Sequence, residues 1–305
     1  MKTRATDSQS AGFISPVRRE VTVAFSLIEV LVVVALLSFI IIGLVAMFSQ
    51  TQRAYKLGTT QVDVLEAGRA VTDIMTRDFS QMAPAYQPNF GLAGAINFRM
   101  TLHDAVPLLQ ELPGNPGNPR TNLLQDVFFL SKENQRWKGI GYTVFDPATG
   151  LWPAGGVGTL YRYETNAYVG QPLWQVYSSF TNVWYTNLNV TRLLDGVVHF
   201  RVRAYDTNGV WVDRLKGSAS SGTNVYVDYK PSLILDEPYS FSFYSNAVPG
   251  SVEIELGILE ERTLERAKSI SDANIRSNFL AQQAGKVHLF RWRVPVRNVD
   301  PLAYQ

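Results

Sequence analysis

Cysteine is absent from the chain. That excludes a disulfide scaffold, thiolate zinc sites and thiol chemistry. It agrees with an extracytoplasmic location without establishing one. Histidine is scarce: His103, His199 and His288 are the only three, and they lie far apart. His199 and His288 alternate with strand positions and read as ordinary sheet residues. No H-E-x-x-H, no G-x-S-x-G, no phosphate-loop lysine and no dinucleotide fingerprint occurs. The sequence therefore points away from an enzyme. It implies no cofactor and no metal, and no small-molecule substrate is evident. An excess of one charge is also missing. Lys and Arg total 28 against 26 Asp and Glu, and no basic cluster stands out. A nucleic-acid partner is not expected.

What is present is one long uncharged run. The nineteen residues from Val30 to Phe48 carry no charge, and only Ser38 and Gly43 soften them. Counted from Phe25 the run is about 36 Å long as a helix, at about 1.5 Å per residue. That covers a hydrocarbon core of about 30 Å. The N-terminal flank carries Lys2, Arg4, Arg18 and Arg19, against Arg53 and Lys56 on the far side. The excess favours a cytoplasmic N-terminus and a single pass, with the bulk of the chain outside the inner membrane.

One residue breaks the pattern. Glu29 stands at the membrane-entering end of the run. A carboxylate near the bilayer centre costs about 2.5–3.5 kcal/mol even on lenient scales, so its partner must be named. A cut between Ala24 and Phe25 would create an α-amine four residues before Glu29. That amine, or one on a parallel neighbouring subunit, could neutralise the carboxylate.

Basic residues, then Ala24, then Phe25-Ser26-Leu27-Ile28-Glu29 and some twenty apolar residues resemble the processing signal of type IV pilins and type II secretion pseudopilins. The resemblance implies cleavage by a prepilin peptidase between Ala24 and Phe25. It also implies N-methylation of Phe25 and a role for Glu29 in filament assembly. The family usually has Gly before the cut, where this chain has Ala24. Two plainer alternatives share the apolar run. A signal anchor would stay uncut. A secretory signal peptide would be cut behind the run, where Leu44-Val45-Ala46 is a poor site.

Past the run the pattern stays helical to Met82. Val64, Gly68, Val71, Met75, Phe79 and Met82 are spaced four, three, four, four and three, which makes one apolar face. Gly58-Thr59-Thr60 is a candidate bend, and Pro84 ends the helix. Residues 84–122 read as a loop-rich linker, with Pro113-Gly114-Asn115-Pro116-Gly117-Asn118-Pro119 outside regular structure. From about residue 125 the period shortens to two. Asp126–Leu130, Gly139–Phe145, Thr159–Tyr163, Trp174–Phe180, Leu193–Tyr205, Val225–Tyr229, Ser251–Leu259 and Val287–Val296 read as strands. Asp206-Thr207-Asn208-Gly209 reads as a hairpin turn returning through Val210–Val212, rather than a calcium loop. Residues 263–284 read as a helix. The pairs Asp236-Glu237 and Glu260-Glu261 read as solvated surface.

Several later features look like the minor pseudopilin J family of type II secretion. They are Ile74–Gln81 closing a long helix, Leu194-Asp195-Gly196-Val197 before an aromatic-bearing strand, Tyr205-Asp206, Trp211, and Ala247-Val248-Pro249 before Val252-Glu253-Ile254. A vaguer likeness is to prepilin-type proteins of the Verru_Chthon cassettes. The expected fold class is α+β and pilin-like: a long N-terminal helix, half in membrane and half amphipathic, packed on a mainly antiparallel β-sheet domain. The expected segments are a leader (1–24), a transmembrane helix (25–48), its amphipathic continuation (49–83), the linker (84–122) and a β-rich domain (123–305). The implied partners are the prepilin peptidase, other pilins or pseudopilins, and the inner membrane. A different class stays open: a membrane-anchored exported domain that binds a carbohydrate through exposed Trp152, Trp174, Trp184 or Trp211.

Overall fold

The computed structural model describes residues 26–86, 95–103, 107–112, 114–147, 149–153, 156–168, 171–182, 189–212, 224–229 and 237–304. The chain divides into two compact units, residues 1–56 and 57–305. The first holds the N-terminal part of helix α1, Leu27–Ser80. Every described side chain from Ser26 to Gln50 in it is exposed.

In the second unit α1 supplies one wall of the main core. Val64, Val71, Met75, Phe79 and Met82 are all buried, as their spacing requires. The helical pattern runs through Gly58–Thr60 without a break. It stops at Ser80 because the next residues join the sheet. Met82 bridges Ser131, and the Ala83 N–H donates to the Leu130 carbonyl at 3.0 Å. Pro84, which has no N–H, lies just beyond.

The sheet holds nine strands: β1 (Ile96–Leu102), β4 (Gln125–Glu133), β5 (Arg136–Phe145), β6 (Gly158–Asn166), β7 (Val190–Tyr205), β8 (Val225–Asp228), β9 (Ser240–Tyr244), β10 (Ser251–Leu259) and β11 (Val287–Pro295). Their order is β11-β10-β7-β6-β5-β4-β1-β9-β8, and each adjacent pair is antiparallel. The sheet curls. The N-terminal half of β7 pairs with β6 and the C-terminal half with β10. The edge of β7 that β6 does not reach is met by the start of β4 and the residue two before it. The Phe200 N–H donates to the Leu123 carbonyl (2.7 Å), and the Val202 N–H donates to Gln125 Oε1 (2.6 Å).

Strand alternation sorts the two faces. Phe98, Phe129 and Tyr142 point to α1, with the Phe79 ring 4.6 Å from Phe129 and 5.9 Å from Tyr142. On the opposite face Phe128, Leu130, Tyr161 and Tyr163 meet Val176 and Phe180 of helix α2, Leu173–Thr181. A third cluster joins Val198 and Leu259 to helices α3 (Glu261–Lys268) and α4 (Ala273–Ala281) and to the two-stranded ribbon of β2 (Leu108–Leu112) and β3 (Asn115–Asn122).

Four expectations need correction. Residues 173–181 form α2 rather than a strand, because Leu173, Val176 and Phe180 share a helical face. Gly139 and Gly141 of β5 clear its seat. A Cβ on either would lie 2.4 Å from Val176 or 2.3 Å from Phe180. Residues 84–122 are not a loop-rich linker. β1 sits inside the sheet between β4 and β9, so the globular unit does not begin at 123. The Pro/Gly stretch from Asn115 onward is β3. Gly117 takes φ +94°, and among the described residues β3 pairs with β2 alone, an edge position that tolerates proline. The helix expected over 263–284 is two helices. Asp272 caps α4 by accepting at Oδ1 from the Asn274 and Ile275 N–H groups, both at 2.9 Å.

Candidate functional site

Ala24 and Phe25 lie outside the described residues. Glu29 is described, and it stands exposed in the first turn of α1. The Ser26 carbonyl accepts from the Glu29 N–H at 3.0 Å and the Val30 N–H at 3.2 Å. Ser26 thus opens the helix and Glu29 is its third residue. Ser26-x-x-Glu29 has the spacing of a capping box, and a carboxylate here faces the positive end of the helix dipole. Sequence reasoning missed this local role, although the signal was legible in the four residues.

Behind Glu29 the helix is long and apolar enough to cross a membrane. Its best window has a mean hydropathy of 3.2, and none of it is buried. From Leu27 to Phe48 the large apolar side chains are between 50% and 83% exposed. The few hydroxyls turn back onto the helix. Ser38 Oγ donates to the Val34 carbonyl at 2.8 Å and Thr51 Oγ1 to the Met47 carbonyl at 3.0 Å. Both hydroxyl donors are thereby paired, as a lipid-facing helix would require. The surface can do two things chemically: enter lipid, or pack on other apolar helices.

The last turns of α1 carry a second device. Asp78 is buried, 3% exposed, under the sheet. Its Oδ2 accepts from Tyr142 Oη at 2.7 Å and from Arg162 Nε at 2.6 Å. Arg162 Nη1 continues to Glu164 at 2.5 Å, and Glu164 meets Lys138 at 3.3 Å. Burial pushes the Tyr142 hydroxyl well above its ordinary pKa, and the charge of Asp78 adds to this. The phenol therefore stays a donor. Burial opposes the charge on Arg162, but the hydrogen bond and charge of Asp78 outweigh it and raise its pKa. The network clamps α1 onto β5 and β6.

The other residues singled out in the sequence do not converge. His103, His199 and His288 have separate partners. His103 is buried, 2.8 Å from Asp126. His199 Nδ1 accepts from the Leu123 N–H at 3.0 Å, which leaves its proton on Nε2, 3.3 Å from Glu255. His288 lies 3.5 Å from Glu260. Asp206 closes the expected hairpin turn, its Oδ1 accepting from the Asn208 and Val210 N–H groups. Two acids read as solvated are in fact mostly buried. Glu237 pairs with Arg201 and Arg203, and Glu260 with Lys286. Trp152 is half exposed and stacks on His103, with centroids 4.4 Å apart. Trp211 lies under the Arg203 guanidinium, Trp174 is half exposed in α2, and Trp184 is outside the described residues. Among the described residues no group of His, Cys, Asp and Glu could hold a metal ion.

Compared with models of known protein families, with curated proteins and with solved structures, the chain finds no match.

Proposed function

We propose that the chain is a structural subunit of a pilus-like filament, of the type II secretion or type IV pilus kind, in the manner of a minor pseudopilin. It is inserted with its N-terminus in the cytoplasm, cut between Ala24 and Phe25 by a prepilin peptidase, and methylated on Phe25. The observation that carries this reading is a wholly uncovered apolar helix with one carboxylate in its opening turn. Val30–Phe48 is rich in Val, Ile and Leu, so neighbouring helices would meet by van der Waals packing. The Glu29–amine pair would then set their axial register. The periplasmic side is the second unit, held to its part of α1 by the apolar stripe and the Asp78 clamp.

Glu29→Val tests the mechanism. The variant should insert as the parent does and fail to co-purify or cross-link with its pilin-like partners. Normal incorporation would overturn the role given to Glu29. A second reading is favoured by Trp152 alone: its half-exposed ring rests on buried His103, a rigid platform of the sort sugars stack on. On that reading the chain is an anchored binding domain, uncut at its N-terminus. A glycan array probed with the detergent-solubilised chain separates the two.

A further inference from the structure

β11 is the edge of the nine-stranded sheet, and among the described residues it pairs only with β10. Its alternate residues Leu289, Arg291 and Arg293 are exposed, while Phe290 and Trp292 turn to the α1 side and are half buried. The register across three strands sets up two charged rows. Arg203 of β7, Glu253 of β10 and Arg293 of β11 form one. Arg201, Glu255 and Arg291 form the other. The rows are knitted diagonally. Arg291 Nη2 lies 2.8 Å from Glu253 and Arg203 Nη1 3.6 Å from it; Arg291 Nε lies 3.4 Å from Glu255 and Arg201 Nη1 3.6 Å from it. Arg293 donates from Nε to Ser251 Oγ and covers the Tyr205 ring. Each row reads positive, negative, positive, and then reaches the open edge.

We infer that the free edge of β11 takes an added strand from another protein, one in which two acidic residues two apart alternate with apolar ones. An extended segment would continue the β11 ladder with main-chain hydrogen bonds. Its acids would fall opposite Arg291 and Arg293, and its apolar residues beside Phe290 and Trp292. Opposite charges across a strand pair attract and like charges repel. A second copy of β11 is disfavoured in the antiparallel registers centred on Arg291 or Trp292, which set arginine against arginine, and in other registers it offers the arginines no acid. The chain cannot supply the segment from elsewhere either. Its only acid–x–acid step is Glu253-Ile254-Glu255, already held between β7 and β11. The edge arginines thus give a second copy no charge partner and favour an acidic strand. This inference stands apart from the filament reading, because an anchored binding domain would present the same edge.

The test uses the full chain in detergent micelles and two synthetic peptides, Thr-Val-Glu-Val-Glu-Val-Thr and Thr-Val-Lys-Val-Lys-Val-Thr. Amide hydrogen exchange over residues 288–295 is the readout. The acidic peptide should slow exchange there and bind about tenfold more tightly than the basic one, because its charges attract where those of the basic peptide repel. The preference should shrink in high salt. In Arg291→Glu/Arg293→Glu the preference should reverse. If that variant loses the protection of β10, the milder Arg291→Gln/Arg293→Gln serves, and there the preference should vanish. Equal slowing by both peptides, slowing by neither, or an unchanged preference in a folded variant would overturn the inference.

Discussion

Glu29 and Asp78 are two carboxylates on one helix with opposite surroundings. Glu29 is exposed at the third position of α1, and its local value is that of a helix-opening acid. Glutamine fits the same capping pattern. Glu29→Gln should therefore leave helix content unchanged by circular dichroism and, on the proposed filament reading, still abolish co-assembly, because that reading needs the charged form to pair with an amine. If Gln assembles normally, the residue serves the helix alone. Asp78 is buried against Tyr142 and Arg162. Asp78→Ala would leave a largely buried guanidinium with Glu164 alone and the Tyr142 hydroxyl without its acceptor, so a loss of about 3 kcal/mol is expected in urea unfolding. Tyr142→Phe should cost about 1.5–3 kcal/mol, the value of one hydrogen bond to a charged group.

Among the elements, α1 and β11 meet where Gly68 faces Phe290. A Cβ at Gly68 would sit 2.2 Å from the ring. Gly68→Ala should destabilise by about 1–3 kcal/mol through overpacking. Adding Phe290→Leu should recover part of that loss in thermal melts. The α1 stripe was legible because a four–three spacing survives any packing partner, and Val64 to Met82 are buried as it requires. β7, β10 and β11 were legible from period-two alternation. β1 carries the same signal in Ile96-Asn97-Phe98-Arg99-Met100-Thr101-Leu102, but it lies in a stretch whose prolines and glycines argued for loop. α2 was misread because nine residues are too few for a helical period to outweigh aromatic, β-branched content. What seats it, the bare backbone at Gly139 and Gly141, lies in another strand. The clamp was equally hidden: Asp78, Tyr142 and Arg162 are scattered along the chain, and only the fold brings them together.

For the molecule as a whole, acid should be destabilising. The hydrogen bond from His199, with the charges of Arg203 and Arg291, holds Glu255 below the ordinary carboxylate range against the push of burial. Burial also works against Glu164 and Asp195, yet hydrogen bonds from Arg162 and Arg192 hold both below that range. Each folded pKa is lower than its unfolded value. Their stabilisation is therefore present above the ordinary carboxylate pKa of about 4 and is lost as pH falls through the folded values. The melting temperature of the second unit should be flat from neutral pH down to that range and drop below it. A melting temperature that rises on acidification would contradict these assignments.

The same whole-molecule view sets the decisive question at the N-terminus. On the proposed filament reading, the acid at the mouth of this exposed apolar helix is met by a new amine created by the cut before Phe25. Mass spectrometry of the N-terminal peptide from protein recovered from its native membrane tests this directly. The mature chain should begin at Phe25 and carry one added methyl group. A chain that still begins upstream of Phe25, or that begins beyond Phe48, would contradict it.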